Sequence, residues 1–167
     1  MRLGDRFKTA SRAAPGHWEG DLLSGSGNSH IVPLVERQTR FLMLVGIETK
    51  DCKSFAGALA RKIKTLPRHM KASLTWDRGT EMTSHVRFTM ASKVRVYFCD
   101  PYSPWRRGSN ENTNRLLRRY FPKGSNLSRF SQADHDKVAH EMNTRPRKTL
   151  GYKTPAAVFA QAVALTS

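Results

Sequence analysis

The stretch His30-Ile-Val-Pro-Leu-Val-Glu36, followed by Phe41-Leu-Met-Leu-Val-Gly-Ile47, contains two strand-like runs joined by a short polar segment. Gln38 and Thr39 lie between the runs, and a short polar break of this kind favours a turn. The second run is almost continuously apolar, which is typical of a strand buried on both faces. A third strand-like run, from Trp18 to Leu23, precedes them across a segment rich in Gly and Ser. Together the three runs predict an antiparallel meander.

Helix and strand patterns alternate after this meander. Phe55, Leu59 and Ile63 follow the helical period, so we expect a helix over residues 51–66 that ends before Pro67. Two further strands are expected at residues 73–76 and 94–99, and further helices at residues 80–92, 109–120, 132–143 and after Pro155. Five strands interleaved with helices predict an α/β fold, a mixed sheet covered by helices.

The length of 167 residues suits one domain with a single core. We interpret residues 1–16, which are polar, basic and aperiodic, as a linker or arm, residues 17–160 as the core and residues 161–167 as a tail. The apolar runs are too short to cross a bilayer, and no apolar stretch follows Met1 as it does in a signal peptide. We therefore expect a cytoplasmic protein with no membrane partner.

Charge gives the first indication of a partner. Lys and Arg number 29 against 13 Asp and Glu, a net charge of +16. Such a field favours a polyanion, and Arg, whose guanidinium binds phosphate through two N–H groups, is frequent in the basic clusters at residues 106–107, 118–119 and 145–148. We prefer nucleic acid to the alternative of a merely well-solvated basic surface. Two separated cysteines and six histidines without metal-binding spacing exclude a zinc site and favour reduced thiols.

Three acidic residues lie at the ends or in the interior of predicted elements. Asp21 lies within the first predicted strand, where a carboxylate is costly unless it is paired or bound to metal. Asp77 directly follows a strand, at the end where ligands usually bind. Glu111 lies in the first turn of a predicted helix, away from its apolar stripe and on the side of Asn114 and Arg115.

Carboxylates in such positions suit phosphoryl chemistry. Two magnesium ions about 3.5–4 Å apart can stabilise both the attacking and the leaving oxygen of a displacement, and carboxylates are their natural protein ligands. Three unrelated surface acids are the alternative. The residues alone leave that alternative open, because 13 acidic residues offer many combinations of three.

Motifs around these carboxylates occur together in one known family. His17-Trp-Glu-Gly-Asp21, Thr75-Trp-Asp77-Arg-Gly79 and Ser103-Pro-Trp-Arg-Arg-Gly-Ser-Asn-Glu111-Asn112 resemble motifs of the DDE transposases of the insertion-sequence-thirty family. Tyr120-Phe-Pro-Lys123 and Arg145-Pro-Arg-Lys-Thr-Leu-Gly151 match as well, as do the 33 residues between Asp77 and Glu111. The resemblance covers residues 15–160, and several motifs in the same order make it specific.

The resemblance implies an RNase H-like fold, a five-stranded mixed sheet flanked by helices. It also implies that Asp21, Asp77 and Glu111 are the catalytic triad and hold two Mg²⁺ ions, for which Mn²⁺ can substitute. Water would cleave DNA at the ends of the mobile element, and the freed 3′-hydroxyl would attack a target phosphodiester. The implied partners are element-end and target DNA and, once assembled on DNA, further copies of the chain. A bacterial cytoplasmic protein associated with the nucleoid would follow.

Residues around the triad are candidates for DNA contact. We expect Arg106, Arg107, Asn110, Asn114, Arg115 and Arg118 to bind DNA. Three asparagines surround Glu111, namely Asn110, Asn112 and Asn114, and they could instead orient metal-bound water. Helix capping and local hydrogen bonding are an equal alternative for the asparagines.

Two departures from the family matter. Arg106 stands where the family usually has Gln, so DNA contact is expected to differ there. Family members also carry an amino-terminal helix-turn-helix region that recognises element ends, and this chain begins just before the catalytic core. We therefore expect an incomplete transposase. A catalytically idle fragment that only binds DNA or a full-length partner is the main alternative, and an RNase H-type nuclease is a third.

Overall fold

A computed structural model describes residues 14–47, 52–76, 85–98 and 108–165, excepting the side chains of residues 52–53, 85–87 and 108–111. In chain order, its elements are β1 His17–Gly20, β2 Leu23–Ser24, β3 His30–Glu36, β4 Leu42–Ile47, α1 Cys52–Lys64, β5 Ser73–Trp76, α2 His85–Ser92, β6 Arg95–Phe98, α3 Gly108–Leu117, α4 Gln132–Asn143 and α5 Pro155–Ala164. Short 3₁₀ turns lie at Arg68–Met70, Leu127–Arg129 and Lys148–Leu150. The predicted elements are confirmed in type and order.

The strands form one mixed sheet. β3 pairs antiparallel with β1, β2 and β4, so the predicted meander is confirmed. β5 pairs parallel with β1 on its other side, and β6 pairs parallel with β5. β1 is therefore a central strand, hydrogen-bonded on both sides, and β4 and β6 lie at the two edges of the described sheet.

The first predicted strand is interrupted at Asp21. Gly20 pairs with Leu34 of β3, and Leu23 pairs with Ile31 of β3. Both pairs are separated by three residues on each strand, so β1 and β2 pair with β3 in the same register. Asp21 faces Pro33 in this register, and its N–H donates to the Pro33 carbonyl at 3.3 Å. Proline has no N–H and cannot return that bond. The sheet thus has six strand segments but is five strands wide, as expected.

Helices cover both faces of the sheet. On one face, apolar residues of α1 and α5 pack with Trp18, Leu74 and Trp76, all of them buried. On the other face, α3 and α4 contribute Leu117, Ala139 and Met142 to a second apolar cluster against β3 and β4. Trp18 and Trp76 are among the largest buried side chains of the core.

The outer edge of β4 is covered by amide side chains of α4. The Asn143 amide accepts from the Leu42 N–H at 2.9 Å and donates to the Leu42 carbonyl at 2.8 Å. Gln132, at the other end of α4, accepts from the Gly46 N–H and donates to the Leu44 carbonyl. Backbone groups at a sheet edge otherwise invite pairing with another chain, and these four bonds satisfy them. β4 is consequently buried on both faces, as its apolar sequence predicts.

Two predicted domain boundaries need correction. α5 continues to Ala164, and Ala162 is buried in the core, so residues 161–164 are part of the fold rather than a tail. Gly16 is also part of the fold, because its N–H donates to Glu36 and its carbonyl accepts from Ala72. Residues 1–13 of the predicted arm lie outside the described residues. None of the described helices is long and apolar enough to cross a membrane.

Replacing the Asn143 amide should destabilise the fold. In Asn143→Ala, the buried N–H and carbonyl of Leu42 lose their partners, and we expect the free energy of unfolding to fall by about 2–4 kcal/mol. Urea denaturation measures this loss. Gln161→Ala removes an exposed amide from α5 and is the matched control. Equal stability of the two variants would show that the edge bonds contribute nothing.

Acid should destabilise the fold through His135. This imidazole is buried beside Phe121, and its Nδ1 has no hydrogen-bond partner among the residues that the structure describes. Burial lowers its pKa, although Asp134 and Asp136 oppose that shift. Below about pH 6.5 the unfolded chain takes up a proton that the folded chain resists, so stability falls as the pH drops, by at most about 1.4 kcal/mol per pH unit. His135→Leu should flatten this slope in urea denaturation between pH 7 and 5.

His140→Leu, an exposed change on the same helix, is the control and should keep the wild-type slope. Part of the slope should remain in His135→Leu, because burial and the adjacent Arg37 also lower the pKa of His17, with Glu36 opposing. An unchanged slope in His135→Leu would contradict the assignment.

Candidate active site

Asp21 lies at the carboxyl end of β1, one residue past the strand rather than within it as the sequence suggested. The cause is the Pro33 opposite, which interrupts the hydrogen-bond ladder between β1 and β3. Asp21 Oδ1 accepts from the Leu22 N–H at 2.8 Å, so the carboxylate is fixed by the same local backbone. The side chain is half-buried, at a point where a charged group remains accessible to a ligand.

Asn114 of α3 holds the other oxygen of this carboxylate. Its Nδ2 donates to Asp21 Oδ2 at 2.8 Å, across 93 residues of sequence. These two hydrogen bonds occupy two of the roughly four acceptor positions of a carboxylate and fix its orientation. Helix α3 and strand β1 are thereby joined at the site, and sequence reasoning placed Asn114 nearby without identifying this contact.

The remaining polar atom of Asn114 is unsatisfied. Its Oδ1 is buried and has no hydrogen-bond partner in the part of the chain that the structure describes. A buried carbonyl oxygen in that state costs about 1–3 kcal/mol. Because Nδ2 donates to a carboxylate, Oδ1 is unambiguously the acceptor. An acceptor oxygen beside a fixed carboxylate suits a cation or a water bound to one.

Polar side chains continue from Asp21 along the same face of β1 and β5. Residues at alternate positions of a strand share a face, so His17 and Glu19 lie on the face of Asp21. Glu19 is buried and forms an ion pair with Arg37 at 3.0 Å, and His17 Nδ1 lies 2.7 Å from Ser73 Oγ. Sequence reasoning did not single out these residues, which anchor β1 to its neighbours.

The described residues contain part of the predicted triad. Asp77 lies outside them, and so do Arg106 and Arg107. The backbones of Asn110 and Glu111 lie in α3, but their side chains are not described. Among the described residues, no three His, Cys, Asp or Glu side chains cluster in a way that would hold a metal.

Two predicted DNA-binding arginines differ in their contacts. Arg115 is exposed, and its Nη2 donates to Asn112 Oδ1 at 2.8 Å. Arg118 is half-buried and donates to the carbonyls of Ser24 at 3.1 Å and Phe121 at 3.4 Å. Arg118 therefore joins α3 to β2, a structural contact that the sequence pattern did not indicate.

Gly20 is required where β1 passes Trp76. A Cβ at this position would lie 2.5 Å from Cζ3 of Trp76 and 3.1 Å from Leu34 Cδ2. The indole cannot easily move, because Phe55 packs edge-on against it at 5.3 Å. The absent side chain lets β1 and β5 pack closely at the point directly before Asp21.

Adding a methyl group at Gly20 should therefore damage the fold at the candidate site. We expect Gly20→Ala to lower the free energy of unfolding by about 1–3 kcal/mol, the usual effect of overpacking. Gly57→Ala on α1 is the matched control, since its Cβ would meet only Arg61 Nη1 at 3.5 Å, and a helical Ala stabilises by about 0.5–1 kcal/mol. Thermal denaturation of both variants tests this; destabilisation of equal size would contradict the packing argument.

Comparison with known proteins identifies the family. The model of the integrase core domain matches residues 11–104. The chain is 51% identical over 156 residues to the transposase InsI of insertion sequence element IS30A from Escherichia coli, which covers 93% of this chain and 41% of that protein. It is 47% identical to the transposase of IS1086 from Cupriavidus metallidurans, over 92% of this chain and 45% of that protein.

A transposase of IS4351 from Bacteroides fragilis is 40% identical over 72% of the chain and 36% of its own length. The chain thus spans less than half the length of these curated relatives. The family model of the integrase core domain matches more than half of the chain. The mixed sheet flanked by helices and the identity to these transposases agree with that match, and the predicted RNase H-like fold is confirmed. The chain belongs to the integrase core domain family.

Proposed function

We propose that this chain is the catalytic core of a DNA transposase, which cleaves and transfers phosphodiester bonds with the aid of divalent metal ions. The observation that carries the proposal is the pair of hydrogen bonds that fixes the Asp21 carboxylate, one from the adjacent Leu22 N–H and one from Asn114 of α3. A carboxylate fixed in this way, beside a buried acceptor oxygen, is oriented to bind a ligand.

The sheet register supports assigning Asp77 to the same site. Gly20 and Trp76, the residues directly before Asp21 and Asp77, are register partners in adjacent parallel strands. The carboxyl ends of neighbouring parallel strands are where α/β proteins usually bind ligands. Two carboxylates at that edge would repel each other unless a cation neutralises them.

Helix α3 supports assigning Glu111. Glu111 precedes Asn114 by three residues in this helix, and residues at that spacing share one side of a helix. Because Asn114 contacts Asp21, we infer that Glu111 belongs to the same site.

Two Mg²⁺ ions, or Mn²⁺ in their place, would be held by Asp21, Asp77 and Glu111. When bound, such ions stabilise the charge on the attacking and leaving oxygens of a phosphodiester. The protein's own part is to fix the ligands: Leu22 and Asn114 orient Asp21. Asn114 Oδ1 would accept a hydrogen bond from water or from a hydroxyl of the DNA. Exposed Arg115, with Arg106, Arg107 and Asn110, would contact phosphates near the cleaved bond.

The partners follow from this activity. DNA at element ends and at the target would bind near the Asp21 edge of the sheet, and paired ends would require several copies of the chain. Because the relatives are more than twice as long, a second candidate is a fragment that binds DNA without cleaving it. A single assay distinguishes the two candidates.

Plasmid nicking tests the proposal. With Mn²⁺ or Mg²⁺, the chain should nick supercoiled DNA weakly and without sequence preference, because an arbitrary plasmid offers no element ends that would position the cleaved bond at the site. Asp21→Asn should lower the nicking rate by more than about 100-fold, since even a group that merely supports a metal ligand contributes about 10- to 100-fold. Asp77→Asn and Glu111→Gln should do the same.

Asp136→Asn is the matched control, because this exposed aspartate of α4 pairs with Lys62 and should leave nicking unchanged. Filter binding checks that every variant still binds DNA. Nicking that survives in Asp21→Asn would contradict the assigned site. Binding without nicking by the wild-type chain would favour the second candidate.

A further inference from the structure

A row of exposed basic side chains begins beside the candidate site. Arg115 and Arg119 lie four residues apart, and both are exposed on α3 and the turn after it. Three further exposed cations, Arg145, Lys148 and Lys153, follow α4 in the segment before α5. We call these five residues the basic ridge.

Arg145 connects the two parts of the ridge. Its Nη2 donates to the Tyr120 hydroxyl at 2.7 Å, and its guanidinium carbon lies 5.9 Å from the centre of the Tyr120 ring. Tyr120 directly follows Arg119, so the end of the α3 segment and the loop after α4 lie side by side. The contact of Arg145 with Tyr120 therefore brings the two basic segments together at this point.

The ridge residues form no ion pairs in the described part of the chain. From Met142 to Leu165 the sequence contains no Asp or Glu. None of the five described ridge side chains is paired with a described acidic side chain, whereas Arg37 and Lys62 elsewhere are. Cations that are exposed and not held in ion pairs give a positive field that attracts a polyanion.

The loop that carries three ridge residues is held in one conformation. The Arg147 N–H donates to the Lys153 carbonyl at 3.0 Å, and the Arg147 carbonyl accepts from Leu150 and Tyr152. Gly151 and Tyr152 adopt left-handed backbone angles, with φ of 61° and 67°. A loop already closed by its own hydrogen bonds loses little conformational entropy when it binds a ligand.

The surface beside Tyr120 also contains acidic residues. A groove of about 420 Å³ there is lined by Asp134 and Glu141 together with Arg129 and Lys137. Because two acidic and two basic residues line the groove, it attracts a polyanion less strongly than the ridge, whose five residues are all basic.

We propose that the basic ridge binds the sugar-phosphate backbone of duplex DNA outside the cleavage site. The proposal rests on the proposed function, because it places this DNA segment in line with the strand held at Asp21. Exposed cations on α3, on the turn after it and on the loop before α5 would meet successive phosphates of the backbone. Contacts of this kind are independent of base sequence.

The salt dependence of DNA binding tests the ridge. Each phosphate contact contributes about 0.9 to the slope of log binding constant against log salt concentration. Arg119→Gln and Lys148→Gln should each lower that slope by about 0.9, and the double variant by about 1.8. The probe is a 30-base-pair duplex of arbitrary sequence, titrated with the full chain in EDTA.

The matched control removes one charge from the opposite layer. Lys64 is exposed at the end of α1, which packs on the other face of the sheet, and Lys64→Gln should leave the slope unchanged. Arg119→Lys keeps the charge and should also keep the wild-type slope. Circular dichroism and thermal denaturation check that the variants remain folded.

The EDTA condition separates the two proposals, since binding is measured where no metal-dependent cleavage occurs. A lowered slope in a chain that fails to nick plasmid would support the ridge and contradict the proposed function. In a different outcome, the wild-type chain nicks plasmid while the ridge variants show the same salt slope as Lys64→Gln. That result would overturn the DNA-binding role of the ridge and leave the proposed function standing. A wild-type chain that does not bind the duplex overturns it as well.

Discussion

The pairing of β1 on both of its sides is the constraint on which the site depends. β1 is antiparallel to β3 and parallel to β5, so its register is fixed by two independent sets of backbone hydrogen bonds. A slip of one residue would move Trp18 from the core to the opposite face, at a cost of several kcal/mol of lost burial. Asp21 is therefore fixed in position by the core and not by its own interactions alone.

Within that frame, one proline makes the end of β1 available for chemistry. Pro33 accepts from Asp21 and cannot donate to it, so the ladder stops for two residues and resumes at β2 in the same register. The chain stays in line, yet the carboxylate is half-buried rather than enclosed. Asn114 then holds the carboxylate from a different layer, while its own carbonyl oxygen has no partner among the described residues. An unsatisfied buried acceptor next to a charged ligand is common where function is favoured over stability.

Sequence patterns predicted most elements because those elements obey short periods. β3 and α4 have the predicted bounds, since an apolar run and a helical repeat bounded by a Ser131 cap are local signals. The contacts of Asn114, Asn143 and Arg118 span about ninety residues or more and leave no periodic trace. The end of α5 was placed too early for a similar reason: Ala162 is fixed by tertiary packing on Trp18's side of the sheet rather than by a local stop signal.

Net charge alone does not identify which cations meet a polyanion. Arg37 is used in an ion pair with Glu19, Arg118 donates to two carbonyls, and Arg147 donates to the Met142 carbonyl from a half-buried position. These side chains already satisfy acceptors of the fold, and moving them to a phosphate would leave buried oxygens without donors. The five ridge residues stay exposed, but so do Lys64 and Lys93 on other parts of the described surface. Which cations meet DNA therefore depends on which arginines the fold has already engaged and on where the exposed ones lie relative to Asp21, and not on the total of +16.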